Sequence, residues 1–216
     1  MPDKKLSVSW SNLYLTILPV IFFFTVLWLR EASGPYWLHF NLDPTYPYLF
    51  NSFNLLNKIP PSHIDHPGTP VQLLGALILK ITHLGSSIDQ ITEKILRDPE
   101  QYIKLISNVM IFLNSLVLFI IGIVAYKIFE NLISPIFLQL SPFLSTLILR
   151  HGTQFKPEIM LVFATLILIL LSLYALKPGL FNKNQKKFVF CYGLIAGFGV
   201  ATKIIFIPLL VLPVFL

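Results

Sequence analysis

Between Lys104 and Lys127 the chain carries no charged residue, and most of that stretch reads VMIFLNSLVLFIIGIVAY, from Val109 to Tyr126. A run of roughly 18–20 apolar residues is what a helix needs to cross about 30 Å of hydrocarbon. Comparable runs lie at residues 12–30, 103–126, 132–149, 159–176 and 188–216. A soluble domain of 216 residues has too little core volume to hide a chain that is 55% hydrophobic and 12% charged, with a mean hydropathy of +0.75. The expected fold class is therefore all-α. A polytopic transmembrane helical bundle forms one domain over 1–216, with a long outer loop at 31–99. The first span has no small-residue cleavage site and reads as a retained anchor, not a signal peptide.

The net charge of +6 invites a nucleic-acid reading, but its distribution argues for membrane topology. Lys177, Lys183, Lys186 and Lys187 share one short loop, and Lys4 and Lys5 precede the first span. By the positive-inside bias both segments are cytoplasmic. With the amino terminus inside, residues 31–99 lie outside, 126–131 turn inside, 150–157 turn outside, and the fifth span heads out again. All five histidines (His39, His63, His66, His83 and His151) then fall outside, as do seven acids: Glu31, Asp43, Asp65, Asp89, Glu93, Asp98 and Glu158. Any chemistry is expected on that outer face. The single cysteine, Cys191, rules out an intrachain disulfide and a thiol metal cluster.

The outer loop has its own helical pattern. Asp43-Pro44 has the form of an N-cap followed by proline at the first helical position. Tyr46, Leu49, Phe50, Phe53 and Leu56 then repeat at helical spacing, with Asn51 and Asn54 off the stripe. Thr69-Pro70 repeats the device before Val71, Leu74, Leu77, Ile78 and Ile81, and Gly85 supplies a stop. Each helix is only about 20 Å long, which suits two short amphipathic helices lying on the membrane surface. Between them Pro60, Pro61, Pro67, Gly68 and Pro70 stiffen a turn that carries Asp65 and His66. No soluble domain, internal repeat or low-complexity tract interrupts the pattern.

The residues able to carry chemistry each admit a plainer reading. Asp43 can serve as a general base on an acceptor hydroxyl or amine, or simply cap a helix. Asp65 and His66, with His63 nearby, fit a second acid–base group, a divalent-metal site, a pocket clamp or an ordinary Asx turn; their spacing matches no familiar metal motif. Arg150, His151, Lys156 and Glu158 line RHGTQFKPE. There Arg150 can bind a phosphate bidentately or only snorkel, and Glu158 also complements a helix dipole. Lys203 is the one charge between Phe188 and Leu216. It lies about 22 Å into the fifth span, in its outer third, where it snorkels or serves a lipid phosphate. Gly193 and Gly197 read as a close helix-packing pair, and Asn108, Asn114 and Ser115 as interhelical hydrogen bonds. GxxxxGK, HExxH and GxSxG are absent, which leaves nucleotide hydrolysis and the familiar hydrolase chemistries without a foothold.

Four segments in order, LDPTYPYL, DHPGTPVQLLGALILKITHLG, RHGTQFKPE and GLIAGFGVATKIIFIPL, resemble the amino-terminal half of GT-C glycosyltransferases. The nearest branch is that of the protein O-mannosyltransferases and the bacterial lipid A aminoarabinose transferase. The resemblance runs from about Leu13 to the end of the chain and implies the amino-terminal portion of a longer fold. It also implies a polyprenyl-phosphate sugar donor, inverting transfer on the outer face, and a lipid, glycan or protein acceptor. By this likeness Asp43 is the catalytic acid, although Pro44 stands where the family often has a second acid. Asp65, His66 and Glu158 shape the pocket or act as a second acid–base group. Arg150, Lys203 and Lys156 hold the donor phosphate. No cofactor is obligatory on this reading, a divalent metal is left open, and no nucleic-acid partner is implied. The setting is a bacterial inner or plasma membrane. The competing expectation is a non-catalytic multi-pass protein, such as a lipid-linked glycan carrier or an assembly partner.

Overall fold

The computed structural model describes residues 8–38, 45–62, 68–175 and 178–214. These form nine α-helices and no strand: α1 (Val8–Ala32), α2 (Thr45–Leu56), α3 (Thr69–Thr82), α4 (Ile88–Arg97), α5 (Pro99–Phe129), α6 (Ile133–Leu140), α7 (Thr146–Gly152), α8 (Pro157–Ala175) and α9 (Pro178–Thr202). Three of them, α1 from Leu13, α5 and α8, are long and apolar enough to cross a membrane. At 31 residues α5 is about 46 Å long and overruns a bilayer core.

The third expected span, 132–149, is not one helix. α6 and α7 meet at an angle of 78°. Between them Pro142 sits in a 3-10 turn, and Ser145 adopts extended dihedrals while its Oγ accepts from the Ile148 N–H. A proline followed by a new N-cap stops one helix and starts another. The pair still climbs the bundle. Buried Gln139 donates from Nε2 to the carbonyls of Leu15 (2.9 Å) and Leu118 (3.0 Å), while Gly152 faces Val26. Leu15 and Val26 are about 16 Å apart along α1.

The fifth expected span, 188–216, is also corrected. α9 stops at Thr202, and Ile204–Val214 is a 3-10 segment. That segment turns back along α9: Phe206 lies against Gly199, and the Tyr192 hydroxyl, further back along α9, donates to the Leu210 carbonyl. A Cβ at Gly199 would collide with the Phe206 ring, so glycine permits the hairpin. Phe206 is buried with Ala164 and Leu168 of α8. Over the described residues the segment is apolar and folds back on α9 instead of continuing it. Gly193 and Gly197 meet no neighbour within the described residues, so the expected packing pair is not used inside this chain.

The helices are ordered end to end. α5 begins beside the end of α1, where Glu100 accepts from the Tyr36 N–H at 3.2 Å. α8 begins beside the end of α9, where Glu158 meets Lys203. Arg30, Glu31, Glu100, Lys104, Arg150, Glu158 and Lys203 therefore gather at one end of the bundle, here the Tyr36 end. Lys183, Lys186 and Lys187 lie towards the other end of α9, which is about 27 Å long from Gln185 to Thr202. Because lipid is as apolar as leucine, close packing and buried polar ties hold such helices together more than hydrophobic burial does. Asn108 supplies one such tie, accepting from Arg30. Asn114 and Ser115 do not: both bond back to carbonyls of their own helix, Met110 at 2.8 Å and Ile111 at 2.9 Å.

α2 and α3 pack on each other, both pack on α5, and α3 also meets α9. Their close approach depends on Gly75, where a Cβ would collide with Ser52 and crowd Phe155. The buried faces depart from the expected stripes. Asn51 is buried and accepts from the Ser62 N–H at 3.0 Å, whereas Phe50, Leu77 and Ile81 are exposed. α3 is preceded by Gly68 in the left-handed region (φ 50°), not capped by Thr69. α4 was not anticipated, although Ser87 and Gln90 form a reciprocal capping box at its start.

Candidate functional site

The residues of RHGTQFKPE do not form an open loop. Residues 152–157 are all buried. Phe155 fits beneath Gly75, with its ring 6.0 Å from that of Tyr48, so α2 and α3 close over this segment. Thr153 is tied in as well: its carbonyl accepts from the Tyr36 hydroxyl at 3.2 Å, and that hydroxyl also meets Ser107 Oγ at 3.1 Å. Lys156, expected on a short outer loop among the donor-phosphate residues, is fully buried.

Pro157 opens α8, and Glu158 follows in its first turn, where a carboxylate suits the positive helix end. Its Oε1 is 2.6 Å from Lys203 Nζ; the two side chains are 18% and 21% exposed. Lys203 stands at the apex of the α9 hairpin and not within a continuous helix. There its N–H bonds the Gly199 carbonyl at 2.9 Å. Glu158 Oε2 is buried without a hydrogen-bond partner among the described residues. The ammonium has three donors and spends one on Glu158.

One backbone contact adds a third segment. The Gly68 N–H donates to the Thr202 carbonyl at 3.0 Å. This places the end of the DHPG sequence and the first turn of α3 next to the residue that precedes Lys203. Gln72, one turn into α3, is fully buried, and neither amide atom of its side chain has a partner among the described residues.

Arg150 takes a different position. It is exposed on α7 and lines a groove of about 450 Å³ with Leu29, Ser33, Thr146, Leu147, Leu149 and Thr153. Neither Glu158 nor Lys203 lines that groove. The structure thus brings Glu158 and Lys203 together and leaves Arg150 apart from them. Asp43, Asp65, His66 and His63 lie outside the described residues. Among the described residues no three His, Cys, Asp or Glu side chains gather as a metal-holding group.

A second polar cluster was not singled out from sequence. Glu100 accepts from the Tyr46 hydroxyl as well as from the Tyr36 N–H, and Arg30, nearly buried, reaches Asn108 and Glu31. Burial pushes the Tyr36 phenol up to about 12. Burial and the Glu100 carboxylate raise that of Tyr46. The available signal was Asp98-Pro99-Glu100, a cap, a proline and an acid opening the longest helix. Comparison with known protein families, curated proteins and solved structures finds no match for the chain.

Proposed function

We propose that the chain acts in glycosyl transfer from a polyprenyl-phosphate donor to a lipid, glycan or protein acceptor, with chemistry at the Tyr36 end of the bundle. In this reading that end faces the periplasm or cell exterior and the amino terminus faces the cytoplasm. The observation that carries it is the Gly68–Thr202 bond beside the Glu158–Lys203 pair. Three of the four segments that resemble GT-C enzymes meet there, although they are far apart in sequence.

The reaction is one displacement. The acceptor oxygen or nitrogen bonds to the anomeric carbon, the bond from that carbon to the phosphate oxygen breaks, and the lipid phosphate leaves with the electron pair. Asp43 takes the acceptor proton. Lys203 offsets the charge growing on the phosphate with the donors that Glu158 leaves unused, an effect strengthened in a poorly hydrated site. Glu158 fixes the ammonium in place. Asp65 and His66, immediately ahead of Gly68 in sequence, shape the acceptor side. The test is incubation of membranes carrying the protein with radiolabelled polyprenyl-phosphate sugar. Label should move to an acceptor, and Asp43→Asn should abolish transfer without loss of insertion. Absence of transfer by correctly inserted wild-type protein would overturn the reading.

One observation favours a carrier for lipid-linked glycans instead. Two of the expected spans are interrupted, at the 78° bend between α6 and α7 and at the Lys203 hairpin, and paired broken helices are a habit of transporters. Lipid crossing in vesicles with no label moved to an acceptor would select that alternative.

A further inference from the structure

The groove beside Arg150 belongs to neither reading above. Its walls are the end of α1 and the residue after it, Leu29 and Ser33, and α7 with the residue after it, Thr146, Leu147, Leu149, Arg150 and Thr153. Three observations bear on what it holds.

The first is depth. Leu29 and Ser33 bracket the point where the apolar span of α1 ends, at Ala32. Trp28 and Trp37, both 68% exposed, flank the same level. Exposed tryptophans mark the headgroup region of a bilayer. The groove therefore lies where lipid phosphates lie.

The second is charge. Arg150 is exposed, and its guanidinium has no ion-pair or hydrogen-bond partner among the described residues. Among the described residues the groove lining contains this one cation and no acid. A guanidinium matches two phosphate oxygens bidentately. Among the described residues of the wall no carboxylate stands ready to receive the ammonium of a zwitterionic headgroup.

The third is the arrangement of polar and apolar groups. Thr146 and Arg150 are four residues apart on α7 and so share a face. The hydroxyls of Ser33 and Thr153 are already donated, to Leu29 and Arg150 carbonyls at 2.7 Å each, whereas Thr146 is exposed. Beside them Leu147 (58% exposed) and, just before α7, Leu144 (84%) offer apolar surface to an acyl chain.

We infer that the groove between α1 and α7 binds an anionic phospholipid of the surrounding bilayer, its phosphate on Arg150 and Thr146 and its acyl chain along Leu144 and Leu147. The break at Ser145 swings α7 away from the line of α6 and so helps to set Arg150 beside the end of α1.

The test uses the whole protein in detergent, loaded with phosphatidylglycerol or phosphatidylcholine, with retained lipid counted by native mass spectrometry. Wild type should retain phosphatidylglycerol at least tenfold better than phosphatidylcholine. Arg150→Gln should lose that preference, as should Thr146→Trp, which fills the groove and keeps the charge. Arg150 and Thr146 are exposed, and unchanged unfolding temperatures would confirm that both variants fold. Retention by either variant at the wild-type level would overturn the site. So would displacement of phosphatidylglycerol by millimolar inorganic phosphate, which would reassign it to a free anion, or by an equal amount of polyprenyl phosphate, which would reassign it to the donor.

Discussion

Glu158 and Lys203, 45 positions apart, meet at 2.6 Å where the first turn of α8 faces the apex of the α9 hairpin. The contact joins α8 to the hairpin that follows α9, and each side chain is about one-fifth exposed. Exposed pairs contribute under about 1 kcal/mol, whereas breaking a buried one costs about 3–5 kcal/mol because a charge is stranded. This pair lies between those limits. Glu158→Gln and Lys203→Met should each lower stability by about 1–3 kcal/mol. The double variant should recover most of that loss, since it strands no charge. Thermal unfolding of the four proteins closes the cycle. Additive losses would mean that the contact carries no coupling. A double variant that is stable but transfers no sugar would separate the role in chemistry from the role in folding.

The return of residues 204–214 along α9 rests on the space left by Gly199. Gly199→Leu should drive the Phe206 ring out and displace the segment, at the cost of about 1–3 kcal/mol usual for overpacking. In a Cys191→Ser background, Tyr192→Cys and Leu210→Cys should join through a short bifunctional thiol reagent. With leucine at position 199 the yield should collapse. Equal yields in both proteins would refute the hairpin.

Tyr36 offers a titration with a defined sign. Its hydroxyl bridges Ser107 and the Thr153 carbonyl, so Tyr36→Phe should strand a buried carbonyl and cost about 1–2 kcal/mol. Burial raises its pKa from 10.0 to about 12. A raised folded-state value means that the folded protein holds the proton more tightly than the unfolded chain. The associated stability is fully present below pH 10 and is lost as pH rises through about 12. Tyrosinate absorbance should show late-titrating phenols, Tyr36 and Tyr46 among them, and the phenylalanine variant should lose one phenol's worth of that late amplitude. A late amplitude left undiminished in that variant would assign the shift elsewhere.

What the sequence revealed and what it concealed follow from different physics. α1, α5 and α8 were legible because lipid demands a long apolar run and leaves few other solutions. The gathering of Arg150, Glu158 and Lys203 at one end was legible too, because loop charges betray topology. The break at Ser145 was not read, although Pro142 and Ser145 carried its signal, since overall hydropathy outweighed two turn-forming residues. The hairpin after Thr202 was less accessible still. An apolar segment in lipid looks the same whether it crosses or returns, and only the fit of Phe206 against Gly199 decides. Asn51 was set off the apolar stripe of its helix, yet it is buried, with its Oδ1 accepting from the Ser62 N–H. Lys203 was noticed for its isolation, and its partner was visible only once α8 and α9 were packed together.

The arrangement of ends makes a final prediction about sidedness. Trp37 lies at the Tyr36 end and is 68% exposed. Lys186 is exposed near the start of the regular part of α9. α8 and α9 run antiparallel, and Lys203 pairs with the first turn of α8. Lys186 and Lys203 are therefore separated by nearly the whole length of α9, about 25 Å, close to the thickness of a hydrocarbon core. In a Cys191→Ser background, Trp37→Cys should react with an impermeant thiol reagent added outside intact cells, and Lys186→Cys only after the membrane is opened. If both label from outside, α9 does not separate two aqueous compartments. If only Lys186→Cys labels from outside, the polar end faces the cytoplasm. A polyprenyl-phosphate donor presented on the outer face would then never meet Glu158 and Lys203.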